Sequence, residues 1–339
     1  TKAKAKPWQI KSSNFYFEAE KARDLFSKLF NVKSDTIAII PSASYGIETA
    51  AKNLSHSLKK DIAILDKQFP SNVYPWIRLA KEKNVNIRTI PVDNNDLTSS
   101  ILNNIDETCG IISLPNVLWT TGQAVDLIKV RKKCDAINAT LVLDLTQSAG
   151  AMSTNFSIIK PDFAVVANYK WMLGPYTTGF LYADPKYHQG QPLEESWITR
   201  RKSSNFANLI NYTEKFQEGA IRFDMGERAN FSLIPGVIAA LEQLLDWEIS
   251  KIEYSLKIQN DYLAIKLKDM GLRVLNVEQR GPHFLSAELP TGLNPNLLQI
   301  LESKGIYVSI RSNFLRITPH LWNNLEELDF FAYELSSAI

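Results

Sequence analysis

The stretch TLVLDLTQSAGAMSTNFSIIKPDFAVVANYKWMLGP, residues 140–175, contains two apolar runs, TLVLDL (140–145) and FAVVAN (163–168). Each is short and apolar at consecutive positions, the pattern of a strand buried on both faces. Asp144 lies at the end of the first run, and Tyr169 and Lys170 follow the second. If the two runs are neighbouring parallel strands, the carboxylate and the amine meet at one edge of the sheet, where open α/β folds bind ligands. That pair suits pyridoxal 5′-phosphate (PLP). A carboxylate keeps the pyridine nitrogen protonated, and an amine forms a Schiff base with the aldehyde.

Outward from this pair the same kind of run recurs in TIAIIPS (36–42), DIAILD (61–66), NIRTIPV (86–92), GIISLP (110–115) and GFLYAD (179–184). Amphipathic segments at 46–57, 74–83 and 126–137 lie between them. The alternation predicts an α/β fold with a mostly parallel seven-stranded sheet sandwiched by helices. After Pro235 the pattern changes. Residues 237–268 read as one or two long helices, followed by the short strands LRVLNV, HFLSAEL, IYVSIR and FLRITP and a terminal helix NLEELDFFAYELSSA. This predicts a large α/β domain over 1–248 and a smaller C-terminal α+β domain over 249–339.

Composition sets the limits. The 339 residues are 45% hydrophobic and 22% charged, as in an ordinary globular protein. A net charge of +2 points to neither nucleic acid nor an acidic membrane. The Lys-rich opening (Lys2, Lys4, Lys6) reads as a solvated terminus rather than a basic arm. No apolar run approaches the roughly 20 residues that span a bilayer. Cys109 and Cys134 make no disulfide framework, and the four histidines are scattered, so no metal site is expected. A reducing, cytoplasmic setting is the simplest expectation.

Other candidates sit just after the apolar runs. Ser42-Ala43-Ser44-Tyr45-Gly46 opens a helix, where backbone amides and hydroxyls can hold a phosphate. Simple capping by Ser42 or Ser44 would explain the same residues. Phe69, in DKQFPSN, and Trp119, in NVLWTTG, could stack on a planar ring or fill a core. Gln147 could donate to a phenolate oxygen. Arg311 and Arg316, in IRSNFLRITPH, could clamp a substrate carboxylate. No GxxxxGK[ST] or GxGxxG fingerprint occurs, which speaks against a nucleotide enzyme.

Together these residues resemble the class V aminotransferase group of fold-type I PLP enzymes, over about residues 36–335. In that group a D-x-x-Q or D-x-x-H pair precedes an H-K or Y-K pair, matched here by Asp144/Gln147 and Tyr169-Lys170. VLWTTGQAVDL, DLTQSAGA, NYKWMLGP and QFPSN are similar to kynureninase. The resemblance implies a Schiff base at Lys170, with Asp144 on the pyridine nitrogen, Gln147 on the phenolate oxygen and Phe69 on the ring. It places Ala43, Ser44 and Tyr169 on the phosphate and Arg316 on the substrate carboxylate. Arg222 and Gly226, in RFDMGERANF, match a loop that reaches the neighbouring subunit's phosphate, which implies a homodimer with composite sites.

The chain also departs from that pattern. Ala167 stands where desulfurases carry a phosphate-binding serine, and Ser113 where they carry a stacking histidine. Glu227 replaces a phosphate-binding threonine and is expected to turn away, toward Arg228 or Arg222. Both cysteines precede Lys170, whereas desulfurases need a nucleophilic cysteine on a later loop. The resemblance therefore implies an aminotransferase or kynureninase-like lyase acting on an amino acid, not a cysteine desulfurase. An epimerase of the isopenicillin N epimerase type and a catalytically silent PLP-fold binding protein are the alternatives.

Overall fold

The computed structural model describes residues 2–56, 58–93, 96–292 and 294–339. Seven strands form one sheet: β1 (Ile37–Ile40), β2 (Asp61–Leu65), β3 (Ile87–Ile90), β4 (Cys109–Pro115), β5 (Thr140–Asp144), β6 (Phe163–Ala167) and β7 (Gly179–Ala183), in the order β1-β7-β6-β5-β4-β2-β3. The pairs β2–β3, β2–β4, β4–β5 and β5–β6 are parallel, and β7 runs antiparallel to both its neighbours. All seven expected runs are strands of this sheet, and the fold is the mostly parallel α/β architecture expected.

The inner strands are apolar because both faces are covered, whereas the edge strand β3 carries Arg88 and an exposed Thr89. Along β6, Phe163 and Val165 enter the core on one face, while Ala164 and Val166 enter the core on the other. This is period-two alternation with no solvent side. One core packs Phe26 flat on Phe180, with ring centroids 4.1 Å apart. The opposite core is built around Trp76 and Phe163.

Helices occupy Ala43–Leu54, Tyr74–Lys83 and Leu127–Ile137. The first begins earlier than the apolar spacing indicated, because Ser42 caps it by accepting from the Tyr45 amide at 3.2 Å. Ser57, the expected end of that segment, lies outside the described residues. Asp126 caps the third helix through the Ile128 and Lys129 amides. The helix Asn14–Leu29 has no counterpart among the expected elements, and it packs on the helix Ile234–Trp247. Of the basic opening, Lys6 is exposed and the side chains of Lys2 and Lys4 lie outside the described residues.

Two helices, Ile234–Trp247 and Ile249–Asp269, occupy the stretch read as one or two long helices, with Glu248 between them at φ 60°. A second sheet follows: β8 (Arg273–Val274), β9 (Leu285–Glu288), β10 (Ser309–Arg311) and β11 (Phe314–Ile317), all antiparallel, in the order β10-β11-β9-β8. Its core joins Leu263 and Leu267 to Leu315, Phe331 and Leu335. Ile252 and Leu256, earlier on the same helix, belong to the core of the large sheet.

Candidate active site

Parallel register brings the ends of β4, β5 and β6 to one edge. Pro115 pairs with Asp144, and Asp144 pairs with Val165. The turn after β5 folds back against the segment after β6. Gly150 makes this possible: its φ is 95°, and a Cβ there would lie 2.2 Å from the Trp171 carbonyl oxygen. The turn thus carries Gln147 to Lys170, whose Nζ donates to Gln147 Oε1 at 2.9 Å.

A small pocket opens at this edge, lined by Ala43, Phe69, Trp119, Asp144, Gln147, Tyr169 and Lys170, together with Gln68, Pro115, Val117 and Thr146. Seven sequence-derived candidates from five separate segments therefore share one space. Ser44 is exposed at the start of the Ala43–Leu54 helix, its hydroxyl 2.9 Å from that of Ser42. Phe69 and Trp119 meet edge to face, with centroids 5.6 Å apart, and the Lys170 amine lies 5.5 Å from the Phe69 ring centre. Tyr169 stacks on Tyr176 at 4.2 Å. Arg311 and Arg316 stand over Trp119, their guanidinium carbons 5.7 and 6.0 Å from its ring.

Burial governs the charges. It pushes the Asp144 carboxyl above its ordinary range, although bonds from Thr146 and the charge of Lys170 pull the other way. It pushes the Lys170 amine down, with Arg316 adding to the effect and Asp144 opposing it. Both groups are thus displaced toward their neutral forms in the protein alone. A bound group with a basic ring nitrogen would restore the charge on Asp144. Gln68 Nε2 is buried at the same cavity without a partner, a donor left for an acceptor on such a group. The lysine, the carboxylate, the aromatic wall and the helix N-terminus together fit pyridoxal phosphate.

Two residues of this neighbourhood escaped the sequence reading. Thr146 offers its hydroxyl oxygen to the Ala167 amide and its own amide to Asp144, at 3.1 and 3.0 Å. Its place in DLTQ was a signal that could have been used. His283 is fully buried in the second half of the chain, and its Nε2 lies 2.6 Å from the Gln147 carbonyl oxygen. Burial pushes this imidazole down to about 4, so it is neutral and donates through Nε2. With the partners 136 positions apart in the chain, no local pattern could reveal the contact.

The remaining candidates lie apart. Ser113 faces away, donating to Asn72 Oδ1 at 2.7 Å. Gly226 is not among the cavity residues, and its amide donates to Glu194 Oε2 at 2.5 Å. The expected pairing of Glu227 is not formed. Arg228 bonds to Asp224 and Glu20, Arg222 to the Gly190 carbonyl and Gln189, and Glu227 is exposed. The physical reason lies in Asp224. It is buried beside both Arg23 and Arg228 and supplies the carboxylate that Arg228 needs.

The profile of the aminotransferase class-V family matches residues 9–312. An uncharacterized aminotransferase of Schizosaccharomyces pombe is 24% identical over 95% of this chain and 82% of its own length. Kynureninase of Bacillus cereus is 24% identical over 95% of this chain and 78% of its own. Among solved structures, a cysteine desulfurase of Thermococcus onnurineus superposes with a TM-score of 0.81 at 20% identity, covering 94% of this chain and 83% of that one. The chain belongs to the aminotransferase class-V family, and its cofactor is pyridoxal 5′-phosphate.

Proposed function

We propose that the protein is a PLP-dependent enzyme acting at the α-amino group and Cα of an amino acid, as an aminotransferase or a kynureninase-like lyase. The observation that carries this reading is the Lys170–Gln147 contact in the cavity that Asp144 also lines. When bound, the cofactor supplies an electron sink for the bonds at Cα. The chain's own groups do the rest. Lys170 holds the cofactor and then moves a proton at Cα, and its lowered basicity suits it to that exchange. Asp144 keeps the ring nitrogen charged, and Phe69 or Trp119 covers the ring. Ala43, Ser44 and Tyr169 take the phosphate, and Arg316 takes the α-carboxylate. Residues 1–248 carry the cofactor side of the site, and 249–339 close the substrate side. Gly226 and Arg222 belong to a surface used by a second copy in a homodimer.

Desulfuration through a cysteine persulfide is not part of this reading. Cys109 and Cys134 are both buried, and burial pushes the Cys134 thiol up to about 12, against thiolate formation. The likeness to a desulfurase at 20% identity is a likeness of fold. The deciding test is borohydride reduction of the coloured holoenzyme followed by peptide mapping, then a screen of amino acids with keto-acid, ammonia and sulfide readouts. Cofactor fixed on Lys170, with keto acid or ammonia but no sulfide from cysteine, is the expected result. Label on another lysine, or sulfide release from cysteine that is lost when both cysteines are removed, would end the proposal.

A further inference from the structure

The β10–β11 hairpin carries two arginines on one face. Ser309 pairs with Arg316, and Arg311 pairs with Phe314. Arg311 therefore lies diagonally from Arg316, on the same side of the pleat, within reach of long side chains. Both approach Trp119, which walls the Lys170 cavity. Arg316 is close enough to disfavour charge on Lys170, and Arg311 close enough to disfavour charge on Arg316.

Among the described residues, neither arginine meets a carboxylate. Arg311 donates to the Ile310 carbonyl, and Arg316 Nε is buried without a partner. Elsewhere Arg23, Arg131, Arg228 and Arg280 each meet an Asp or Glu. Arg316 acts on Lys170, and the exposed Arg311 acts on Arg316; with no counter-ion for either among the described residues, their charges favour the entry of an anion. A single carboxylate is satisfied by one arginine fork. A second fork over the same indole has work only if the substrate brings a second anion.

We infer that Arg311 reads a second acidic group, so that the site takes an amino acid whose side chain ends in a carboxylate. Arg316 holds the α-carboxylate, the Trp119 face lies along the methylenes, and Arg311 meets the distal carboxylate. This rests on the reading of the Lys170 cavity given above.

The test uses the holoenzyme and substrate-like acids that cannot react. Succinate and glutarate are compared by calorimetry with butyrate and pentanoate, the monocarboxylates of equal length. The dicarboxylates should bind about two- to fivefold more tightly, the order expected of one exposed charge pair. In Arg311→Gln that preference should vanish. Arg311→Lys keeps the charge and should keep part of the preference, which separates loss of an anion site from damage to the hairpin. Arg316→Gln should weaken all four acids. Equal affinity in the wild type, no binding of any acid, or a preference that persists in Arg311→Gln overturns the inference. Borohydride labelling on the same preparation keeps the two readings distinct. Cofactor fixed at Lys170 without a dicarboxylate preference sinks only this one.

Discussion

Gln147 stands between Lys170 and His283, accepting from the Lys170 amine on its side chain and lying 2.6 Å from His283 Nε2 at its carbonyl. The Lys170 amine is thus oriented by a residue on the β5 turn, and that residue is fixed by one from beyond the large sheet. Gly122 ties the same regions together, since its φ of 74° and missing side chain let Phe284 pack against it. The geometry of the lysine therefore depends on how the second half of the chain seats on the first.

Replacing Gln147 by Ala removes the acceptor for Lys170 but leaves Asp144 and the aromatic wall in place. A hydrogen bond to a charged group is worth about 1.5–3 kcal/mol. Turnover should therefore fall by about one to two orders of magnitude, while borohydride still fixes the cofactor. Unchanged kcat/KM in the variant would show that the contact does not survive cofactor binding.

Lys170→Ala should lose covalent retention of the cofactor and about 10²–10⁴ of the rate if the lysine also moves the proton. Its fold should persist, because the substitution removes a charge that burial already disfavours. Added methylamine should recover part of the rate. Failure of any amine to do so, in a folded variant that still binds cofactor, would argue against a proton-transfer role.

Asp144→Asn has opposite effects on the empty and loaded protein. The carboxyl is raised by burial, so in the cofactor-free protein its ionisation opposes folding and the cost appears as pH rises through its titration. The Asn variant should therefore be the more stable apoprotein at neutral pH. On the proposed placement of Asp144 at the ring nitrogen, its holoenzyme should be weaker for want of that counter-charge. Thermal melts of both forms, with and without cofactor, give the comparison. A variant apoprotein less stable than wild type at neutral pH contradicts it.

His283 sets a pH window. Its folded pKa, about 4, lies below the ordinary value of 6.5 because burial disfavours the imidazolium. The unfolded chain takes up this proton first, so stability is present above 6.5 and is lost as pH falls toward 4. The shift corresponds to about 3 kcal/mol. Denaturant midpoints measured across that window should slope less in His283→Asn than in wild type, and an identical slope would assign the acid sensitivity to other groups.

What was legible in the sequence was what is local. The strands of the large sheet announce themselves as apolar runs, and Asp144, Gln147 and Lys170 sit just past two of them. The helix Asn14–Leu29 was not legible, because its buried face is largely Ala19, Ala22, Arg23 and Ser27 rather than a row of large apolar residues. Residues between β7 and the Ile234–Trp247 helix form short 3-10 turns and loops that no periodicity marks. Contacts across long sequence separations, such as His283 with Gln147, exist only once the chain has folded.

Asp224 is the residue where such long-range contacts converge. It accepts from Arg23 Nη2 at 2.7 Å and from the Ile39 amide at 2.7 Å, pairs with Arg228, and is fully buried. The Met225 amide returns to the Ile39 carbonyl at 2.9 Å, so the 222–228 loop is stitched to β1, three residues before Ser42 begins the candidate phosphate cup. Breaking a buried pair on one side leaves charge without compensation, at a cost of about 3–5 kcal/mol. Asp224→Asn should lower stability by less than that, because Glu20 still meets both Arg23 and Arg228, although Asp224 is not among the cavity residues. Arg23→Met alone should also destabilise, because Asp224 and Glu20 lose the guanidinium they share. The double variant Arg23→Met with Asp224→Asn should cost less than the two single changes added together, since each change removes part of what the other strands. A double-mutant cycle on denaturant midpoints measures that coupling, and strict additivity would mean that the two residues act independently.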